Sequence, residues 1–170
     1  MALFLGILIF LLTVLAMEFA AWAAHKYVMH GFLWSLHADH HTKPKDQKWE
    51  KNDWFAFMFA VPAIILIWIG VNVWSWALPV GLGITAYGAI YAIFHEIIVH
   101  QRIKVGRIPD WPYLNRIIEA HRIHHHVRTK EGCVSFGFVI TPKPAWLKEK
   151  LLRMKAERAQ AQAGETAPTA

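Results

Sequence analysis

Two long stretches without a charged side chain determine what this chain can fold into. Residues 1–17 contain no Asp, Glu, Lys or Arg, and only Glu18 interrupts the apolar run before residue 24. Residues 54–95 also lack all four of these residue types. A transmembrane helix needs about 20 mainly apolar residues. The first stretch therefore predicts one span, and the second predicts two spans that fold back on each other near residues 72–79.

The first stretch also has some features of a cleaved signal peptide, because alanines cluster near its end. It lacks the positively charged leading region of such peptides, however, and cleavage there would remove the helix that delivers His25. A retained span is the favoured interpretation. The fold class predicted is an all-α integral membrane protein with three or four transmembrane helices and a histidine-rich cap.

The placement of positive charge predicts the orientation of these spans. All 18 Lys and Arg residues lie within residues 26–51 or beyond residue 101. The positive-inside rule places both regions in the cytoplasm, so the N-terminus and the hairpin turn face the other side of what we expect to be a bacterial inner membrane. The net charge of +6 follows from this bias and from contact with lipid headgroups. We expect no nucleic-acid partner.

Length and composition predict the domain organisation. A chain of 170 residues favours a single domain, which we place at residues 1–155. Residues 156–170, rich in Ala, Gln, Gly and Thr, are predicted to form a disordered tail. Within the domain, residues 113–127 have helical spacing, residues 133–140 form a short apolar run, and residues 146–154 form a basic amphipathic helix suited to anionic lipid. The lone cysteine, Cys133, allows no intramolecular disulfide.

Ten of the eleven histidines fall into two spacing patterns that repeat in the same order. H-x-x-x-x-H occurs at His25/His30 and His95/His100, and H-x-x-H-H occurs at His37/His40/His41 and His121/His124/His125. Positions i, i+3 and i+4 share one face of a helix. Positions i and i+5 are rotated by roughly 140° in an α-helix, so a π-bulge would be needed to align them.

These histidines predict a metal site. Neutral imidazoles bind iron, zinc and copper, and ten donors are too many for one ion, so we expect a dinuclear centre at the cytoplasmic ends of the spans. Structural zinc sites close with four ligands, often cysteines, and the H-E-x-x-H pattern of hydrolytic zinc sites is absent after His95. The pattern favours iron and O2 acting on a lipid-soluble hydrocarbon.

The histidine motifs also resemble those of a known family. Three segments are similar to the motifs of bacterial β-carotene 3-hydroxylases, within the membrane-bound fatty acid hydroxylase and desaturase superfamily. Their sequences are HKYVMHGFLWSLHADHH, FHEIIVH and HRIHHHVRTKEGCVSFGF. The resemblance covers residues 17–138. It implies two non-haem iron ions, O2 as co-substrate and electrons from reduced ferredoxin. The implied reaction hydroxylates C3 of the β-ionone rings of β-carotene, giving β-cryptoxanthin and zeaxanthin.

The resemblance implies a ligand set and leaves other roles open. The implied metal ligands are His25, His30, His37, His40, His41, His95, His100, His121, His124 and His125, with no catalytic residue beyond the metal centre. His126 is a local departure. Candidates for hydrogen bonds to ligand imidazoles are Glu18, Asp39, Glu96 and Glu119, and candidates for the substrate pocket are Trp22, Phe32, Trp34 and Phe136. Surface ion pairing and ordinary packing are the alternative interpretations for these two sets.

Two other functional classes remain open at the level of sequence. One keeps the chemistry and changes the substrate, as in a hydroxylase, ring ketolase or desaturase acting on a sterol, a fatty acyl chain or another lipid. The other is a non-enzymatic membrane protein that binds metal or haem. A carrier would place its ligands along a path within the spans, whereas these histidines cluster at one predicted face. The sequence specifies no oligomeric state.

Overall fold

The computed structural model describes residues 1–42 and 49–165, and the described chain is helical without any strand. Its α-helices are α1 (Ala2–Ala23), α2 (Trp34–Thr42), α3 (Trp54–Asn72), α4 (Ala77–Tyr91), α5 (Pro112–His125) and α6 (Pro144–Glu165). Two π-helical segments, Ala24–Phe32 and Ala92–Val99, continue α1 and α4, and a 3-10 turn at Lys51–Asp53 precedes α3. The predicted all-α class is confirmed.

Three of the helices are long and apolar enough to cross a membrane: Ala2–Phe32, Lys51–Asn72 and Ala77–Val99. They coincide with the three spans predicted from the uncharged stretches, and the turn between the second and third lies at residues 73–76, where it was predicted. Large apolar side chains of these helices, such as Leu11, Ile64 and Trp68, point away from the protein. Such a surface suits a lipid environment.

Glycines bring the three long helices into close contact. A Cβ atom on Gly81 would lie 2.8 Å from Ile67 and 2.9 Å from the Ala63 carbonyl, both on α3. On the other side of α4, a Cβ on Gly83 would lie 2.7 Å from Thr13 of α1. Small residues allow such approach between membrane helices, where no hydrophobic effect drives association. Helix α4 therefore packs between α1 and α3.

The two H-x-x-x-x-H pairs lie on the two π-helical segments, as their spacing predicted. The i to i+5 hydrogen bonds run from the His100 amide to the His95 carbonyl at 2.9 Å and from the Leu33 amide to the Val28 carbonyl at 2.9 Å. The wider turn absorbs the roughly 140° by which residues i and i+5 diverge in an α-helix. The first and third spans therefore each end in a segment that directs two imidazoles to one side.

Helices α5 and α6 form a cap at the same end of the bundle. Their buried contact includes Ile123 of α5 with Leu147 and Leu151 of α6. Cys133 also lies in this cluster, and burial raises the pKa of its thiol to about 12, so it is not an activated nucleophile. The predicted helix over residues 113–127 corresponds to α5.

Helix α6 extends further than the sequence indicated. Disorder was predicted from residue 156, whereas the helix continues to Glu165. The reason is that Ala, Glu, Arg and Gln, which dominate this segment, are strong helix formers even without an apolar stripe. Residues 166–170 of the predicted tail and residues 43–48 of the polar connection between the first two spans lie outside the described residues.

Candidate metal centre

Nine histidines meet in two adjacent groups beside the ends of the spans. The five-histidine group consists of His25, His30, His37, His41 and His124, and the four-histidine group consists of His40, His95, His100 and His121. Within each group the candidate ligand atoms all lie within 4.8 Å of one another. Helices α2 and α5 each contribute to both groups, because neighbouring positions of H-x-x-H-H point to either side. The convergence predicted from the four boxes is therefore present in the fold.

The tenth box histidine, His125, lies between the two groups. Its Nε2 atom is 2.8 Å from Nε2 of His121 in the four-histidine group. Its ring stacks on that of His41 in the five-histidine group, with 4.5 Å between centroids. His126, the departure from the motif, is exposed and belongs to neither group.

Six of the imidazoles are held in place by hydrogen bonds that their Nδ1 atoms donate. Backbone carbonyls accept from Nδ1 in three cases, namely Phe136 O from His25 (3.1 Å), Lys130 O from His30 (2.9 Å) and Val127 O from His41 (2.8 Å). Side chains accept in the other three, namely Asn52 Oδ1 from His37 (2.6 Å), Glu50 Oε2 from His40 (2.7 Å) and Glu96 Oε1 from His95 (2.6 Å). Each acceptor places the proton on Nδ1 and leaves the Nε2 lone pair free to bind a metal.

These lone pairs face each other across short distances. Nε2 of His37 lies 3.2 Å from Nε2 of His41, and Nε2 of His40 lies 3.2 Å from Nε2 of His95. In both pairs the two Nδ1 protons are already donated elsewhere, so no proton is left for a hydrogen bond between the Nε2 atoms. Two facing lone pairs repel unless a cation lies between them.

Protons do not supply that cation at neutral pH. Burial lowers the pKa of His37 to about 2, that of His41 to about 4 and that of His100 to about 3. Burial and the neighbouring imidazoles also hold the pKa values of His40 and His124 well below the usual range. These five imidazoles are therefore neutral at neutral pH, which is the form that binds metals.

The donor set fits metal ions. Short Nε2–Nε2 distances among the box histidines range from 2.8 Å for His121/His125 to 3.3 Å for His30/His124. Two nitrogen ligands of one ion, each bonded at about 2.0–2.1 Å, are separated by a similar distance. The buried Nε2 atom of His25 also has no hydrogen-bond partner among the described residues, as expected for a ligand atom.

The carboxylates around the centre differ in part from those predicted. Glu96 contacts a box imidazole as expected, and Arg102 bridges it to Asp53, with 2.7 Å to each carboxylate. The sequence interpretation missed Glu50 and Asn52. Their position could have indicated this role, because they are polar residues at the start of the second span, and that start lies beside the histidines.

The other three predicted acids have different partners. Glu18 accepts hydrogen bonds from the Tyr87 hydroxyl and from two backbone amides beyond residue 137, so it supports a loop rather than an imidazole. Glu119 pairs with Lys148 of α6 at 2.7 Å, which was the surface alternative considered for it. Asp39 accepts a hydrogen bond from the Lys51 amide at 2.7 Å. Sequence spacing cannot reveal these partners, because they come from distant segments.

An apolar cavity of about 860 Å³ leads from the membrane-spanning region to the histidines. Its walls come from α1, α3 and α4, with Ala21, Phe55 and Gly88 among the lining residues. Phe136, Phe138 and His25 also line it, and its polar lining residues include Asn52, Asp53, Glu96 and Arg102. The arrangement can hold an apolar molecule from the bilayer beside the two histidine groups.

Comparison with known proteins agrees with this architecture. The family model described as fatty acid hydroxylase matches residues 10–143. The chain belongs to the fatty acid hydroxylase family. It is similar to a protein named beta-carotene hydroxylase from Pantoea ananas, with 45% identity over 166 residues, which is 95% of this chain and 94% of the relative. Family membership makes the chain a hydroxylase and an oxidoreductase.

Further relatives extend the comparison of this hydroxylase. Beta-carotene hydroxylase of Pseudescherichia vulneris is 47% identical over 154 residues, which covers 89% of this chain and 85% of the relative. Beta-carotene 3-hydroxylase 2 of Arabidopsis thaliana, a chloroplastic protein, is 41% identical over 131 residues, which is 75% of this chain and 42% of the relative. No solved structure matches this chain.

The pocket residues predicted for this hydroxylase lie in different surroundings. Phe136 lines the cavity. Trp22 instead stacks on Phe19 and Phe32 is 76% exposed. Trp34 lies against the rings of the five-histidine group, 5.0 Å from the His30 centroid. These three are not among the cavity-lining residues, because the cavity opens between the spans rather than towards the connection that follows the first π-helical segment.

Proposed function

We propose that this hydroxylase is a membrane-bound non-haem di-iron monooxygenase that hydroxylates C3 of the β-ionone rings of β-carotene. The products are β-cryptoxanthin and then zeaxanthin. The names of the relatives that match nearly the whole chain support the substrate. The observation that carries the proposal is the apolar cavity between the spans, which reaches His25 of the five-histidine group and lies beside the second group.

Two iron ions are the proposed cofactor. The five-histidine group would hold one ion, and the four-histidine group together with His125 would hold the other. When bound, iron supplies the activation of O2 that attack on an unreactive C–H bond requires. In the balanced reaction, one oxygen atom enters the C–H bond, and the other leaves as water after taking up two electrons and two protons. Reduced ferredoxin is the proposed electron source.

Residues around the centre tune and orient the imidazoles. Glu50 and Glu96 accept from Nδ1 of His40 and His95, which increases the electron density available at Nε2. The five-histidine group has three carbonyl acceptors and the Asn52 amide instead. Such partners fix ring orientation, and their loss typically lowers metal affinity or activity by about 10–100-fold.

The cavity would bind one end of the hydrocarbon and exclude water from it. C4 of the β-ionone ring is allylic and has a weaker C–H bond than C3, so reaction at C3 has to be imposed by position. Phe136 and Phe138 line the cavity and contact the rings of His25 and His95. We infer that the ring packs against them, while the rest of the polyene extends between the spans towards lipid.

We propose that the metal centre faces the cytoplasm of a bacterial inner membrane and that a single domain, residues 1–155, carries the activity. All 18 Lys and Arg residues lie within residues 26–51 or beyond residue 101, and none lies in the turn between the second and third spans. Contact with anionic lipid and with an acidic electron donor suits such a surface.

The test is expression in a bacterium that makes β-carotene, followed by chromatography of the pigments. We expect β-cryptoxanthin and zeaxanthin, and purified protein that contains about two iron ions per chain. The His95→Ala variant should leave β-carotene unchanged while the protein accumulates in the membrane. Products oxidised to a ketone at C4 would indicate a ring ketolase. If β-carotene stays unchanged although the wild-type protein is iron-loaded and inserted in the membrane, the proposed substrate is wrong. A haem absorption band would show that the proposed cofactor is wrong.

A further inference from the structure

Glu18 is a buried acid in the first span, and its side chain is saturated with hydrogen bonds. Its Oε2 atom accepts from the Tyr87 hydroxyl of α4 at 2.7 Å. Its Oε1 atom accepts from the backbone amides of Phe138 at 3.0 Å and Ile140 at 2.9 Å. A carboxyl group inside a membrane helix is costly and is retained where it has a function. Its three donors come from two distant parts of the chain.

The loop that Glu18 holds is a tight structure fixed at several points. A Cβ atom on Gly137 would lie 2.5 Å from the Ile140 carbonyl, so the turn leaves no space for a side chain there. The Phe136 carbonyl accepts from Nδ1 of His25 at 3.1 Å, and the Tyr113 hydroxyl donates to the Val139 carbonyl at 2.6 Å. Glu18 and His25 both tie this loop to the first span, and Glu18 also links the loop to α4 through Tyr87.

The loop carries two aromatic rings, Phe136 and Phe138, that line the cavity and contact the histidine groups. The Phe136 ring faces the five-histidine group, with its centroid 5.6 Å from that of His25 and 5.3 Å from that of His30. The Phe138 ring faces the four-histidine group, 5.2 Å from His95. Both side chains line the cavity. A shift of this loop would therefore move the wall against which a substrate ring rests.

We propose that Glu18 is a positioning residue that determines regiospecificity by holding the Phe136/Phe138 wall. This inference rests on the proposed function. With the wall fixed, C3 of the ring is presented to the centre although C4 has the weaker C–H bond. When the wall is free to move, the ring samples other positions and the intrinsic preference for C4 emerges. Glu18 does not contact the proposed metal ligands and takes no part in the chemical step.

The Glu18→Leu variant tests this proposal in the β-carotene-producing host. Leucine keeps the span apolar and similar in size but removes both acceptor oxygens. We expect the ratio of 4-hydroxy to 3-hydroxy products to rise about tenfold, a difference of about 1.4 kcal/mol between the two barriers, at unchanged iron content. The matched control is Thr13→Val in the same helix, because the Thr13 hydroxyl bonds only to the Ile9 carbonyl among the contacts described, at 2.8 Å. This control should keep the wild-type ratio.

Two further variants decide the question if Glu18→Leu does not accumulate. Glu18→Gln keeps a carbonyl oxygen that can accept from both loop amides, so it should retain the wild-type product ratio. Glu18→Asp withdraws the carboxylate by one methylene and should release 4-hydroxy product. Identical ratios for Asp, Gln and wild type would overturn the proposal. Absence of any hydroxylated carotenoid from the wild type would instead reject the proposed function, so the two failures are distinguishable.

Discussion

The histidine run at residues 124–126 allows a direct test of the ligand assignment at the scale of single residues. Nε2 of His124 lies 3.3 Å from that of His30 and 3.2 Å from that of His41, whereas His126 is exposed. We expect His124→Ala to lower hydroxylation at least about 100-fold and to reduce bound iron, because a buried ligand is removed. His126→Ala should stay within about twofold of wild type, since surface changes cost little. Pigment chromatography and metal analysis of purified protein measure both effects, and equal damage would contradict the assignment.

Sequence spacing identified the imidazoles but could not identify what holds them. The spacing within each box determines which imidazoles share one side of a helical segment, so the way each box presents its histidines follows from local geometry. The carbonyls of Phe136, Lys130 and Val127 lie between 86 and 111 residues along the chain from the histidines they contact, and a carbonyl acceptor leaves no trace in side-chain type. Glu18 is a similar case. The sequence indicated that an acid within a span is energetically costly, but its hydrogen-bond partners lie in a loop about 120 residues away along the chain.

At the scale of helices, the i, i+5 spacing was sufficient to predict a departure from α-helical geometry. The two π-helical segments Ala24–Phe32 and Ala92–Val99 confirm it. The end of α6 shows the opposite case, since low apolar content indicated disorder although the residues favour helix. The spacing of apolar or histidine residues thus predicts which side of a helix is buried. It does not predict where a helix without a buried side ends.

Two glycines of α4 allow helix packing and cavity shape to be tested independently, because one contacts α3 and the other lines the cavity. A Cβ atom on Gly81 would clash with the backbone of α3, whereas one on Gly88 would meet no atom within 4 Å, and Gly88 lines the cavity. Gly81→Ala should destabilise the protein by about 1–3 kcal/mol through overpacking. Gly88→Leu should leave the melting temperature unchanged and lower carotenoid turnover, because the side chain enters the cavity. Thermal unfolding in detergent measures the first effect, and pigment analysis measures the second. A Gly81→Ala protein as stable as wild type would contradict the prediction, since α3 and α4 would then have moved apart without cost.

For the whole molecule, three uncharged spans and four histidine boxes jointly constrain the fold. The first and third spans end at a box, and the second begins beside Glu50 and Asn52, which contact box imidazoles, so closing the spans into a bundle also closes the metal centre. The cavity between α1, α3 and α4 is then lined by apolar residues of the spans and by His25. The sequence predicted the spans and the centre separately, while the cavity depends on how α4 packs against both neighbours and had no local signal.

Membrane orientation is the last property that can be tested at this scale. All 18 Lys and Arg residues lie in two regions beside the histidines, and the turn at residues 73–76 has none. Since the transfer of positive loops is disfavoured, we expect this turn outside the cytoplasm and the C-terminus inside it. Alkaline phosphatase, which needs disulfides and so folds only in the oxidising periplasm, should be active when inserted after Trp74 and inactive when fused after residue 165. A fluorescent protein at the C-terminus should fluoresce. The reverse pattern would place the histidines outside, away from any cytoplasmic ferredoxin.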